Sequence, residues 1–98
     1  MEDYKRKAIG LMEVDDLVTC FVAMDAAAKT ANVTIQNIER NRYDSNACFK
    51  IRGDVSDVEQ AMEVAMEQAN QVGRVIAHTV IASPAEESEP VFYMTVSD

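Results

Sequence analysis

Groups able to do chemistry are sparse in this chain, and none stands in a catalytic spacing. There is one histidine, His78, and there are two cysteines, Cys20 and Cys48. His78 falls inside a β-prone run with no cysteine or carboxylate at metal-ligand spacing, so it reads as a packed or hydrogen-bonded strand residue. Cys20 and Cys48 form no Cys-x-x-Cys pair and suggest neither a zinc site nor a disulfide framework. Cys20 belongs to the apolar face of a helix and reads as core. The carboxylate pairs Asp15-Asp16 and Glu86-Glu87 sit where helix capping and solvation use them. No Gly-x-Ser-x-Gly, P-loop or dinucleotide fingerprint occurs. The expectation is a protein that is not an enzyme and needs no metal or other cofactor.

Charge excludes a further class. Nine basic residues against 17 acidic ones leave a net charge of −8, whereas affinity for phosphate backbones needs clustered Lys and Arg. Lys5-Arg6-Lys7 reads as a solvated terminus, and Arg40 and Arg42 are too few to bind nucleic acid. No apolar run reaches the roughly 18 residues of a membrane span, and the charged N-terminus lacks a signal-peptide core. A soluble, cytosolic protein is expected, with no nucleic-acid or membrane partner.

Ninety-eight residues suffice for one domain, and a domain this small buries only roughly 60% of its unfolded surface, so it gains from association. The elements that must carry the groups above follow from periodicity. Residues 7–14 read as a strand in which Gly10 marks a close backbone approach. Asp15-Asp16 then caps a helix over 17–31, with Leu17, Cys20, Phe21, Met24, Ala27, Ala28 and Ala31 on one face. Asn32 closes it as a left-handed C-cap. Strands over 33–39 and 47–52 flank the polar stretch Arg40-Asn41-Arg42-Tyr43-Asp44-Ser45-Asn46 and predict a hairpin. Ser56 and Glu59 fit a capping box for a helix to about Val72, with Val58, Met62, Ala65, Met66 and Ala69 in one stripe and Gly73 at its end. Residues 74–82 make a fourth strand. The order β-α-β-β-α-β predicts a ferredoxin-like α/β (α+β) fold, a four-stranded antiparallel sheet with two helices on one face. Beyond it lie a proline-bounded acidic linker, residues 84–90, and Val91-Phe92-Tyr93-Met94-Thr95-Val96. That apolar run is a hazard if left loose and is expected to dock on its own sheet or on a neighbouring subunit.

Four collinear segments carry a resemblance. Ala8-Ile9-Gly10-Leu11-Met12-Glu13, then Ala23-Met24-Asp25-Ala26-Ala27-Ala28-Lys29-Thr30-Ala31-Asn32-Val33, then Arg52-Gly53-Asp54-Val55, and finally Val72-Gly73-Arg74-Val75 with His78-Thr79-Val80-Ile81, resemble the bacterial microcompartment (BMC) shell domain. The order is that of the non-permuted, single-domain members. The resemblance assigns residues 1–84 to that domain and 85–98 to a linker and tail. It implies a structural shell protein that forms cyclic homo-hexamers, tiles with other shell proteins around sequestered enzymes, and passes small polar metabolites through a central pore.

Residue roles follow from the same resemblance. Lys29, with Asn32 beside it, would sit at the hexamer edge against the same residue of the next hexamer; the plain alternative is a solvated helix-end lysine at the negative end of the dipole. The hairpin loop would line the pore with Arg42, Tyr43, Asp44 and Ser45 where the family often has a Gly-Ser-Gly type sequence. Six copies would ring one axis with charged side chains that select solutes by sign, or Arg42 and Asp44 could pair between subunits and close the hole. The family's edge arginine after the last strand is replaced by Ala82-Ser83-Pro84, which implies weaker lateral tiling. Some family members hold an iron–sulfur cluster at the pore through a cysteine from each of several subunits. Cys48 lies near that loop but within a strand, where a buried apolar role is the ordinary one. The remaining rival is a small-ligand regulatory module, which the fold also hosts but for which no glycine-bearing ligand loop or basic phosphate site is evident.

Overall fold

The computed structural model describes residues 8–82. Lys5-Arg6-Lys7, Ser83-Pro84, the acidic linker and the segment 91–96 lie outside the described residues. Within them the order is β1 (Ala8–Val14), α1 (Leu17–Thr30), β2 (Val33–Arg40), β3 (Ala47–Gly53), α2 (Val55–Val72) and β4 (Val75–Ile81). The strands form one antiparallel sheet in the order β2-β3-β1-β4. This is the α/β arrangement that the sequence predicts.

Alternation along the strands builds the core. Ala8, Met12 and Val14 of β1 and Ala47, Phe49 and Ile51 of β3 project to one face, as a period of two requires. Cys20, Ala23 and Ala27 of α1 and Val58, Ala61, Met62, Ala65 and Ala69 of α2 close over them. Alanines at the contact let the helix axes approach closely and lie thinly over the sheet. Gly10 makes room for this layer. A Cβ there would stand 2.9 Å from Met62 Sδ and 3.0 Å from Ile51 Cγ1, the close approach expected of it.

Three local expectations are corrected. α1 buries Thr19, Cys20, Ala23 and Ala27, while Phe21 and Ala28 face solvent. Apolar residues occur on every side of that helix, so spacing alone does not select the face. Asn32 is not a left-handed cap, since no described non-glycine residue has positive φ; Ala31 ends the helix in extended backbone. The chain turns straight into β2, with the Val33 amide donating to the Ala31 carbonyl at 3.0 Å. Finally, α2 starts at Val55 with Asp54 as N-cap, which places Ser56 inside the first turn and displaces the capping box. The Val58 amide bonds the Asp54 carbonyl at 2.9 Å. Met66 is half-buried and Ala61 takes the core position that the stripe omitted.

Candidate functional site

The β2–β3 connection is held by its own polar side chains and needs no glycine. The Asn41 amide donates to the Asn46 carbonyl at 2.9 Å and closes the loop. Inside it the Asn41 side chain accepts from the Tyr43 amide, and the Asp44 carboxylate from the Asn46 amide, each at 2.9 Å. Both are Asx turns, in which a side-chain oxygen replaces a backbone carbonyl and spares the chain a left-handed residue. Two further bonds fasten the loop to β1 and the turn that follows it: Ser45 Oγ donates to the Asp15 carbonyl at 2.6 Å, and Asn46 Nδ2 to Glu13 Oε2 at 3.1 Å.

These bonds divide the four loop residues singled out by sequence. Asp44 and Ser45 are exposed, yet their polar atoms shape and anchor the loop. Arg42 and Tyr43 project outward, and Tyr43 is 90% exposed. A stiff loop carrying a cation and a phenol at its tip can present both to a neighbour or a solute without much loss of backbone entropy.

Asp15 joins three connections at this end of the sheet. Its carbonyl receives Ser45, its amide donates to the Arg74 carbonyl at 3.1 Å, and its carboxylate accepts from the Arg74 amide at 3.1 Å. Gly73 lies against the same carboxylate, and a Cβ there would collide with Thr19 Oγ1. Sequence reasoning took Asp15 for half of a cap. The cap is Asp16 alone, whose Oδ1 accepts from the Thr19 amide at 2.8 Å. Asp15 and Glu13 were missed as supports of the loop, because their partners come from distant segments.

Lys29 and Asn32 stand at the opposite end of β2. The eight residues of that strand put about 26 Å between this end and the Arg42–Ser45 loop. Lys29 Nζ pairs with Asp25 Oδ2 at 3.0 Å one helical turn earlier, and both side chains are largely exposed. An exposed i,i+4 pair of this kind holds a lysine loosely, so its ammonium can exchange partners. Gly53 packs beneath this corner: a Cβ there would lie 2.9 Å from the Asn32 carbonyl, which accounts for the glycine in Arg52-Gly53-Asp54-Val55.

Cys48 lies on the sheet face away from the helices, with Glu13 on one side and Glu39 on the other in register. Burial first, then the charges of Glu39 and Glu13, push its thiol up to about 11. Cys20 is buried among apolar groups, and burial raises its thiol to about 11 as well. Both are thiols, not thiolates, at neutral pH. His78 lies on the edge strand β4 in an open groove with Glu59, Glu63, Met62, Met66 and Val80. Among the described residues no group of three His, Cys, Asp or Glu side chains converges as a metal site, and no helix is long and apolar enough to cross a membrane.

Comparison with known proteins gives a consistent result. The BMC domain family matches residues 8–84. The bacterial microcompartment shell protein PduT of Citrobacter freundii is 36% identical over 83 residues, which cover 84% of this chain and 45% of that protein. The carboxysome shell protein CcmK3 of Halothece sp. is 31% identical over 93 residues, covering 93% of this chain and 90% of that protein. The chain spans about half the length of PduT and of its relative PduK from the same organism. A solved microcompartments protein from Desulfitobacterium hafniense superposes with a TM-score of 0.80 at 26% identity, covering 92% of this chain and 51% of that one.

Proposed function

This chain belongs to the BMC domain family of microcompartment shell proteins, and from that premise we propose that it is a structural subunit of such a shell that assembles as a cyclic homo-hexamer. In this reading the Arg42–Ser45 loops of six copies meet round the axis and border a pore for small polar metabolites. Lys29 and Asn32, at the far end of β2, lie at the outer edge, where hexamers and other shell proteins adjoin. Residues 1–84 form the shell domain and 85–98 a linker and tail. The protein performs no catalysis and resides in the shell of a cytoplasmic compartment.

The observation that carries the proposal is the family match across the whole described domain, coupled to a loop and an edge at opposite ends of one strand. Exposed apolar side chains support self-association. Val18, Phe21, Val72 and Ile76 are each at least 40% exposed, and covering such surface contributes roughly 25 cal/mol per Å². Native mass spectrometry of the full chain, with class averages from electron microscopy, tests the reading. A six-fold ring is the expected species. A chain that stays monomeric at high concentration would remove the basis for both pore and edge.

A further inference from the structure

The polar groups of the Arg42–Ser45 loop are not equally available to a solute. The Asp44 carboxylate accepts from the Asn46 amide at 2.9 Å, and Asn46 stands at the base of the loop, where its carbonyl receives the Asn41 amide. That bond draws the carboxylate back from the tip. The Ser45 hydroxyl directs its proton to the Asp15 carbonyl, and Asn41 Oδ1 is taken by the Tyr43 amide. Arg42 and Tyr43 are left. Both are exposed, and among the described residues the Arg42 guanidinium has no hydrogen bond or ion pair. A guanidinium offers five N–H donors and no acceptor, and the phenol adds an O–H. The tip therefore presents hydrogen-bond donors and positive charge.

The other carboxylates of this end belong to the base as well. Glu13 Oε2 accepts from Asn46 Nδ2 at 3.1 Å, and Glu39 Oε2 from Asn37 Nδ2 at 3.3 Å. At 0.15 M salt a fixed charge acts over about 8 Å. The net charge of −8 is spread over the whole chain, so at the tip it counts for less than the guanidinium itself. Copies of Arg42 gathered round one axis repel one another. The pairing with Asp44 that would relieve this repulsion and close the hole competes with the Asp44–Asn46 bond. An anion on the axis relieves it without breaking any bond of the loop.

We infer that the ring of loops is an oxyanion site, in which the Arg42 guanidinium groups, with Tyr43 beside them, take one small multivalent anion bearing carboxylate, phosphate or sulfonate groups. This rests on the cyclic hexamer proposed above and gives its pore a solute class. The planar fork of arginine meets two oxygens of such a group at once, and the stiff loop loses little entropy in doing so. The test uses the full chain and pyranine, a fluorescent trisulfonate, with binding read by anisotropy and assembly by native mass spectrometry. One dye per six chains is expected; one dye per chain would place it elsewhere on the surface and overturn the inference. Inorganic pyrophosphate is expected to displace the dye, and failure to do so would show that its aromatic core, not its charge, is held. Arg42→Gln in a hexamer that still assembles is expected to weaken binding at least tenfold, and Arg42→Lys, which keeps the charge but not the fork, by less. Equal binding by Arg42→Gln and the unaltered ring would overturn the inference. A hexamer that binds no pyranine would overturn the anion site and leave the assembly standing, whereas a monomer would remove both.

Discussion

Single residues at the loop end of the sheet serve more than one segment, and Asp15 and Asp16 show how differently neighbours can act. Asp15 ties the Ser45 loop and the α2–β4 turn to the start of α1, while Asp16 caps the helix. The bonds that Asp16 accepts, first from the Thr19 backbone and then from its hydroxyl, hold its carboxyl below its ordinary 3.8. A depressed folded value means stabilisation that is complete above the ordinary value and is lost as pH falls from there through the depressed one. Asp16→Asn keeps an acceptor at the cap and removes the charge that suits the helix dipole. The expected outcome is a lower melting temperature than the unaltered protein at pH 7 and a gap that closes as the pH drops below about 3.8. Melting curves at several pH values check this, and a pH-independent gap would refute the electrostatic account.

At the scale of elements, the two helices meet through small side chains. Ala23 and Ala27 of α1 and Ala61, Ala65 and Ala69 of α2 are fully buried, so neither helix has room to grow inward. Ala65→Leu forces the layers apart and is expected to cost about 1–3 kcal/mol. The cost should register as a lower denaturation midpoint at unchanged slope. Gln71→Leu, on the exposed side of the same helix, should shift stability by no more than about 0.5 kcal/mol. Equal effects of the two substitutions would contradict the packing described. The stripe of α2 was legible in the sequence because its other face is rich in Glu, Gln and Asn, and only one side can be buried. That of α1 was not, because Val18, Phe21 and Ala28 are as apolar as the residues that point inward.

The whole molecule carries a net charge of −8, and a ring of six such chains repels itself. Screening reaches about 30 Å at 0.01 M salt but only about 8 Å at 0.15 M, so distant subunits feel one another only in dilute buffer. Under the proposed assembly, the hexamer fraction is expected to fall as ionic strength is lowered, measured by native mass or sedimentation at fixed protein concentration. A fraction indifferent to salt would show that apolar contacts dominate the interface entirely.

Strand alternation, glycine placement and the acidic helix entry were readable from residue types alone, and with them the β-α-β-β-α-β order and the family resemblance. These are local properties: a period of two, a missing Cβ, or a carboxylate beside the first helical turn acts within a few residues of itself. The identity of Asp15 as a hub and the stiffening of the Arg42–Ser45 loop required the folded chain. Each depends on partners tens of residues away, Ser45 and Arg74 for Asp15 and Asp15 and Glu13 for the loop. Such pairings arise from strand register, and register is decided by the packing of the sheet as a unit.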